Sequence, residues 1–237
     1  MPINLGKYEK ALFYEIFIKN EYSILDDAIK SSNVIFDIGG HIWLFSLYVL
    51  SKKCHLEAEV IGDNLDISQS PITENTDLKV YFFEPVQKNF NKASEILSQF
   101  PSLVLNDSWI SHTTWPANLF KDKISTQSSI YKSFLNKWAE TEKCSFIRLD
   151  EYLNDNGIES VDLMKMDIEW AEFDVLLNLP DETFSRIKML FLEFHILDDD
   201  LKIKYNELLT KLKKHYIYIW VAESEHDSRV GYILANN

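Results

Sequence analysis

The run Val34-Ile35-Phe36-Asp37-Ile38-Gly39-Gly40, followed by an apolar stretch from Ile42 to Leu50, constrains this chain more than any other feature. Branched and aromatic residues suit a buried strand. A glycine pair allows a tight turn and a close backbone approach to a ligand, and the helix that follows offers N–H groups at its N-terminus. The pattern therefore reads as strand, tight turn and buried helix, the opening of an α/β unit. The apolar stretch is nine residues long, well short of the ~20 that cross a bilayer.

The same alternation recurs along the chain. Leu78 to Phe83 reads as a second strand ending at Glu84-Pro85, residues 86–100 as a helix stopped by Pro101, and Ser102 to Leu105 as a third strand ending at Asn106-Asp107. Ser145 to Leu149 suggests a strand before a helical segment at Asp150-Glu151-Tyr152-Leu153. Val161 to Met166 ends at Asp167, a helix follows from about 170 to 178, and Met189 to Phe194 ends at His195. After a helix at about 199–214, Tyr216 to Val221 and Val230 to Leu234 read as a closing pair of strands. Such alternation implies a mainly parallel sheet with helices on both faces, with ligands bound beyond the carboxyl ends of the strands. Polar residues gather at five strand ends: Asp37, Glu84, Asn106 with Asp107, Asp167 followed by Glu169, and Glu193 with His195.

Three stretches stand apart. Residues 8–30 carry Leu12, Phe13, Ile16, Phe17, Ile24, Leu25, Ala28 and Ile29 at roughly helical spacing, which predicts one or two helices capping the domain. Residues 54–77 are polar without a sustained period and read as a long surface insertion, and 111–143 are irregular apart from a feasible helix at 129–142. The expected organisation is a helical cap at 1–32 and one α/β domain at 33–237.

Charge narrows the partners. With 37 acidic and 24 basic residues the net charge is −13, which repels a phosphate backbone, and no Lys/Arg cluster offsets it, so a nucleic-acid partner is not expected. Cys54 and Cys144 are far apart and match no metal spacing, which predicts reduced thiols and a cytoplasmic protein. The apolar run Ala11-Leu12-Phe13-Tyr14 lacks a basic region before it and a cleavage site after it, so no export signal or membrane span is expected.

The turn at Gly39-Gly40 does not match G-x-G-x-x-G, which counts against a nicotinamide dinucleotide and an oxidoreductase. Glu84 closes the second strand, where an acid in a nucleoside-binding α/β fold accepts hydrogen bonds from the ribose hydroxyls. The interval from loop to acid exceeds the usual ~20 residues because of the 54–77 insertion.

Several motifs in register resemble the FkbM-type S-adenosylmethionine-dependent methyltransferases, over roughly residues 33–197. They are Val34 to Gly40; Phe83-Glu84-Pro85 with Asn89-Phe90; Asn106; Leu149 to Leu153; Val161 to Glu169 with Ala171-Glu172; and Glu193-Phe194-His195. The resemblance implies a class I Rossmann-like fold with a seven-stranded sheet and methyl transfer to a hydroxyl of a sugar or other natural product. By position it implies that Asp37, Gly39, Gly40 and His41 hold the methionine end of the cofactor, Glu84 the ribose, and Asn106 or Asp107 the adenine side. Asp167 would flank the methyl, with Glu169, Glu193 and His195 around the acceptor. His195 is the expected base, oriented by Glu193 from the same side of the strand. Asp167, Glu169, Glu193 and His195 could instead hold a divalent metal ion, which is possible but not expected. Glu172 could face the same site or cap the helix that follows.

The chain departs from the family at His41, where asparagine is usual, and at Trp43 and Trp170, where glycine is usual. An indole at position 43 could fill the pocket and make the chain an inactive, ligand-binding relative, or it could pack sideways into the core. Trp170 could stack on a sugar ring.

Overall fold

The computed structural model describes residues 3–54, 56–69, 77–114, 118–121, 128–129, 140–169, 171–224, 227 and 229–237. Its main sheet has seven strands: β1 (Val34–Ile38), β2 (Lys79–Phe83), β3 (Leu103–Asn106), β4 (Leu163–Met166), β5 (Met189–His195), β6 (Tyr218–Glu223) and β7 (Val230–Asn236), in the order β3-β2-β1-β4-β5-β7-β6. The first five strands run parallel, and β7 is antiparallel between β5 and β6. The mainly parallel seven-stranded sheet expected from the sequence is present. Strand order reverses between β1 and β4, so a crevice opens there beyond the carboxyl ends.

The helices are α1 (Lys7–Phe13), α2 (Asp26–Ser31), α3 (Leu44–Lys53), α4 (Gln87–Leu97), α5 (Leu149–Asp155), α6 (Glu172–Asn178), α7 (Asp181–Phe184) and α8 (Asp199–His215). Side chains alternate between the two faces of each strand. Ile35, Val80 and Phe191 therefore pack with α3, α4 and the N-terminal helices, while Phe36, Met164 and Leu192 pack with α5, α6 and α8. Every residue of α3 from Leu44 to Leu50 is buried, because this helix lies between the sheet and the cap. Among the described residues, no helix is long and apolar enough to cross a membrane.

The cap is helical as expected but broken: α1 runs into a π turn at Tyr14–Ile18, then a 3-10 turn at Glu21–Leu25, then α2. Asn20 makes the break at φ 54°, a left-handed conformation that asparagine tolerates better than most residues.

Two segments hold strands that the sequence did not suggest. The 54–77 segment contains a β-hairpin, Leu56–Ile61 with Asn64–Gln69, whose edge is joined by Ile3–Asn4. Gly62 turns it at φ 66°, and Leu56 and Leu65 are buried while the intervening acids face out. No helix occupies the described ends of 129–142: Ser128–Ser129 and Glu140–Lys143 are strands that flank Asn118–Lys121, and residues 130–139 lie outside the described ones. The expected strand at 145–149 is Ser145–Arg148, paired parallel with Ser108–Ser111 outside the main sheet.

Candidate active site

The site begins at the turn after β1. Gly39 adopts φ 75°, and a Cβ on it would lie 1.7 Å from the carbonyl oxygen of Asp167. A Cβ on Gly40 would lie 2.1 Å from the Phe82 ring. Neither position admits a side chain, and both N–H groups donate to the Phe83 carbonyl at 3.1 and 2.9 Å. His41 and Trp43 follow with φ 42° and 62°. The chain thus keeps left-handed backbone at positions where it has no glycine, a strain of about 1–3 kcal/mol per residue that the surrounding packing must offset.

Beyond this turn lies a cavity of about 320 Å³, at the lower end of the usual range for small-molecule sites, about 300–1,000 Å³. Its floor is made of strand ends and the residues just after them: Gly39, Gly40 and His41 after β1, Glu84 and Pro85 after β2, Lys165 in β4, Asp167 to Glu169 after it, and Glu193 in β5. Its roof comes from the N-terminal cap through Tyr8, Leu12, Glu15, Ile16, Glu21 and Tyr22. Tyr232 of β7 closes one side and donates to Glu21 at 2.8 Å, and Trp109 forms part of another wall.

Lys165 is the electrostatic centre. Nζ donates to the Gly39 carbonyl at 3.0 Å and stands 3.7 Å from both Asp37 and Asp167. Burial opposes its charge, but Asp167, Asp37, Glu193 and Glu84 together hold its pKa above the ordinary lysine value. Burial also raises Asp37, against the pull of Lys165 and of Ser46, whose hydroxyl donates to Asp37 at 2.7 Å.

Glu84 is 3% exposed. Burial pushes its carboxyl up to about 8, opposed by donors from the Val86 backbone, the Asn89 side chain and the His41 backbone. Glu193 rises well above the usual carboxylate range through burial and through the negative charge of Asp167.

The structure gathers most of the predicted residues. Gly39, Gly40, His41, Glu84, Asp167, Glu169 and Glu193 line the cavity. Asp37 does not: its side chain is buried beneath the turn, tying α3 to Lys165. Asn106 and Asp107 do not line it either. The Asn106 amide donates to the Phe82 and Val104 carbonyls, and its oxygen accepts from Tyr152 at 3.0 Å. Asp107 is exposed.

His195 stands behind the wall, 3.9 Å from Glu193 and 4.0 Å from Glu172. Those separations are too long for hydrogen bonds. Burial lowers its pKa against the pull of Asp167, which favours a neutral imidazole. Glu172 accepts the Ile168 backbone N–H at 3.0 Å, so it secures the turn after β4 just ahead of α6. Among the described residues no three His, Cys, Asp or Glu are arranged to hold a metal ion, Asp167, Glu193 and His195 included.

Residues 37–219 match the Methyltransferase FkbM domain family. The chain belongs to that family. Over 212 residues it is 26% identical to the AMB antimetabolite synthetase AmbE of Pseudomonas aeruginosa, covering 81% of this chain and 10% of that protein. Methyltransferase sdnD of Sordaria araneosa is 23% identical over 201 residues, 80% of this chain and 76% of its own length. The crystal structure of methyltransferase FkbM from Methylobacillus flagellatus superposes with a TM-score of 0.53 at 13% identity, over 86% of this chain and 43% of that one; this likeness shows the fold. The chain therefore spans about a tenth of AmbE and less than half of the M. flagellatus chain.

Against this FkbM background the position of Trp43 is informative. Its indole is buried and does not line the main cavity; it packs in the layer between sheet and cap and borders a neighbouring cleft with Asn4, Lys88 and Lys92. Of the two placements the sequence left open, filling the pocket or packing sideways, the second is what occurs. Trp170 lies outside the described residues. Sequence reasoning assigned no role to Lys165, although a lysine within the buried run Leu163–Met166 signals counter-ions nearby. The cap residues Tyr8, Glu15 and Tyr22 carried no comparable signal.

Proposed function

We propose that this chain is an S-adenosylmethionine-dependent O-methyltransferase acting on a hydroxyl of a sugar or another small natural product. The carrying observation is the cavity at the β1–β4 switch point of an FkbM-family chain, where a side-chain-free turn, a buried acid after β2 and a carboxylate pair after β4 and in β5 converge.

The residues suit the cofactor. Gly39, Gly40 and His41 would border its methionine end, and Glu84 offers a carboxyl for the ribose hydroxyls. S-adenosylmethionine supplies an electrophilic methyl on a sulfonium, and the acids around Lys165 make a favourable field for that positive charge. Rate then depends mainly on alignment of the acceptor oxygen and on removal of its proton. With the cofactor in place, its sulfonium would supply the methyl group, and a carboxylate of this chain would receive the proton of the acceptor hydroxyl.

Glu193 is the group we assign to receive that proton. It lines the cavity, and burial together with the negative charge of Asp167 raises its affinity for a proton. His195, 3.9 Å behind it, contributes to the polar surroundings of that carboxylate. Asp167 and Glu169 flank the acceptor. A cytoplasmic setting belongs to the same proposal and rests on the two widely separated cysteines.

Calorimetry with S-adenosylmethionine and S-adenosylhomocysteine tests this reading. We expect both to bind; binding of neither to the folded chain would overturn it. A screen of glycans and small hydroxylated compounds with a labelled methyl donor then identifies the acceptor.

A further inference from the structure

The cavity carries far more acid than the cofactor needs. Glu15 and Glu21 reach it from the cap, Asp167, Glu169 and Glu193 from the far strand ends, and Glu84 from the near side. Lys165 is the single lysine or arginine among the described residues that line it, and it already stands 3.7 Å from each of two aspartates. Setting aside the buried Glu84 and the proton-accepting Glu193, the four carboxylates of Glu15, Glu21, Asp167 and Glu169 line the same space as one ammonium. The cofactor, with a sulfonium, an ammonium and a carboxylate, offsets one further negative charge.

These acids converge on one space. Tyr8 and Tyr22 from the cap and Tyr232 from β7 all feel both Asp167 and Glu193, which together with burial raise the three phenols. The same wall holds a further mark of a ligand. Among the described residues, the Nε1 of Trp109, a residue 3% exposed, has no hydrogen-bond partner, and buried donors in native proteins are normally satisfied. An acceptor atom on a bound molecule would complete it.

We propose that the methyl acceptor carries a protonated amine beside its reacting hydroxyl, as an amino sugar or amino alcohol does, and that phosphorylated acceptors are refused. This rests on the methyltransferase reading above. An ammonium meets the surplus carboxylates, whereas a phosphate meets like charge with no uncommitted lysine or arginine among the described lining residues. An ammonium also has no lone pair, so the carboxylates that bind it direct the methyl to oxygen.

The test uses the full chain saturated with S-adenosylhomocysteine. It is titrated with glucosamine, N-acetylglucosamine and glucosamine 6-phosphate, and in parallel with ethanolamine, N-acetylethanolamine and phosphoethanolamine. In at least one series the amine should bind about tenfold or more tightly than its acetylated counterpart, with no measurable binding of the phosphate. The double variant Glu15→Gln/Glu169→Gln, its fold checked by circular dichroism, should lose most of that preference.

Equal or tighter binding of the acetylated or phosphorylated compounds overturns the proposal, as does failure of both amines to bind or an unchanged preference in the variant. If S-adenosylhomocysteine itself does not bind, the methyltransferase reading falls and this proposal with it. If it binds and the amine preference is missing, only this proposal falls.

Discussion

The floor of the cavity is built from strand ends, with Gly39, Glu84, Asp167 and Glu193 in or just after parallel strands, whereas its roof, from Tyr8 to Tyr22, comes from a segment that joins no strand of the main sheet. Floor residues are placed by backbone hydrogen bonds: Gly39 and Gly40 donate to Phe83, and Asp167 donates to Ile38. Roof residues are placed by side-chain packing, such as Tyr22 edge-on to Phe45 at 4.9 Å and Phe17 edge-on to Tyr48 at 5.7 Å. A substitution in the floor therefore has to move backbone, while one in the roof only repacks a surface. The floor should govern folding and cofactor binding, and the roof the acceptor.

Gly39→Ala challenges that division hardest. A Cβ would lie 1.7 Å from the Asp167 oxygen at φ 75°, and we expect a loss of about 3 kcal/mol or more, or no folded protein. Urea denaturation measures it, and a wild-type midpoint would show that the turn is not what holds the floor together.

Trp43→Ala sits between the two regions. Removing a buried indole should cost about 3–5 kcal/mol, while S-adenosylhomocysteine affinity stays within about twofold because the indole does not line the cavity. Clearly tighter binding on truncation would mean that the tryptophan intrudes on the site.

Glu84→Gln sharpens the floor through pH. Because burial lifts the carboxyl from its ordinary 4.5 to about 8, the folded chain keeps a proton there that the unfolded chain has lost. Its contribution to stability is fully present below about 4.5 and is lost as pH rises through about 8. Hydroxyl donors on the ribose favour the ionised form. Wild-type affinity for S-adenosylhomocysteine should therefore gain on the glutamine variant as pH passes about 8, reaching about tenfold, the worth of a charge-assisted hydrogen bond. A ratio that does not change with pH would remove Glu84 from the ribose.

Tyr8→Phe should have the smallest effect. This tyrosine is partly exposed and edge-on to His41 at 5.9 Å, so loss of its hydroxyl should raise acceptor KM by about two- to fivefold and leave cofactor affinity alone. An effect on the cofactor instead would break the division between roof and floor.

Much of the floor was legible in the chain itself. Short branched or aromatic runs that stop at polar residues mark buried parallel strands, and five of those stopping points are readable from the residues alone. The hairpin at Leu56–Gln69 was not, because its acids mask the alternation of Leu56, Ala58 and Val60, and its third strand, Ile3–Asn4, comes from the opposite end of the segment order. The pairing of Lys165 with Asp37 and Asp167 was half visible, since a lysine inside a buried strand needs opposite charge but does not say which acid supplies it.

By itself, the sequence determined the chain order of the main-sheet strands, the tight turn at Gly39-Gly40 and the acids that close the strands, because local backbone preference and hydrophobic period depend on near neighbours alone. Only the tertiary structure decided which of those acids line the cavity. Asp37 turns under α3, Asn106 spends its amide on neighbouring carbonyls, His195 stands behind Glu193, and Trp43 packs toward the cap. The roof was decided at the same level. Packing α1 and the turns after it over the sheet brings Tyr8, Glu15 and Tyr22 onto the cavity, and that choice depends on shape and charge shared between segments far apart in the chain.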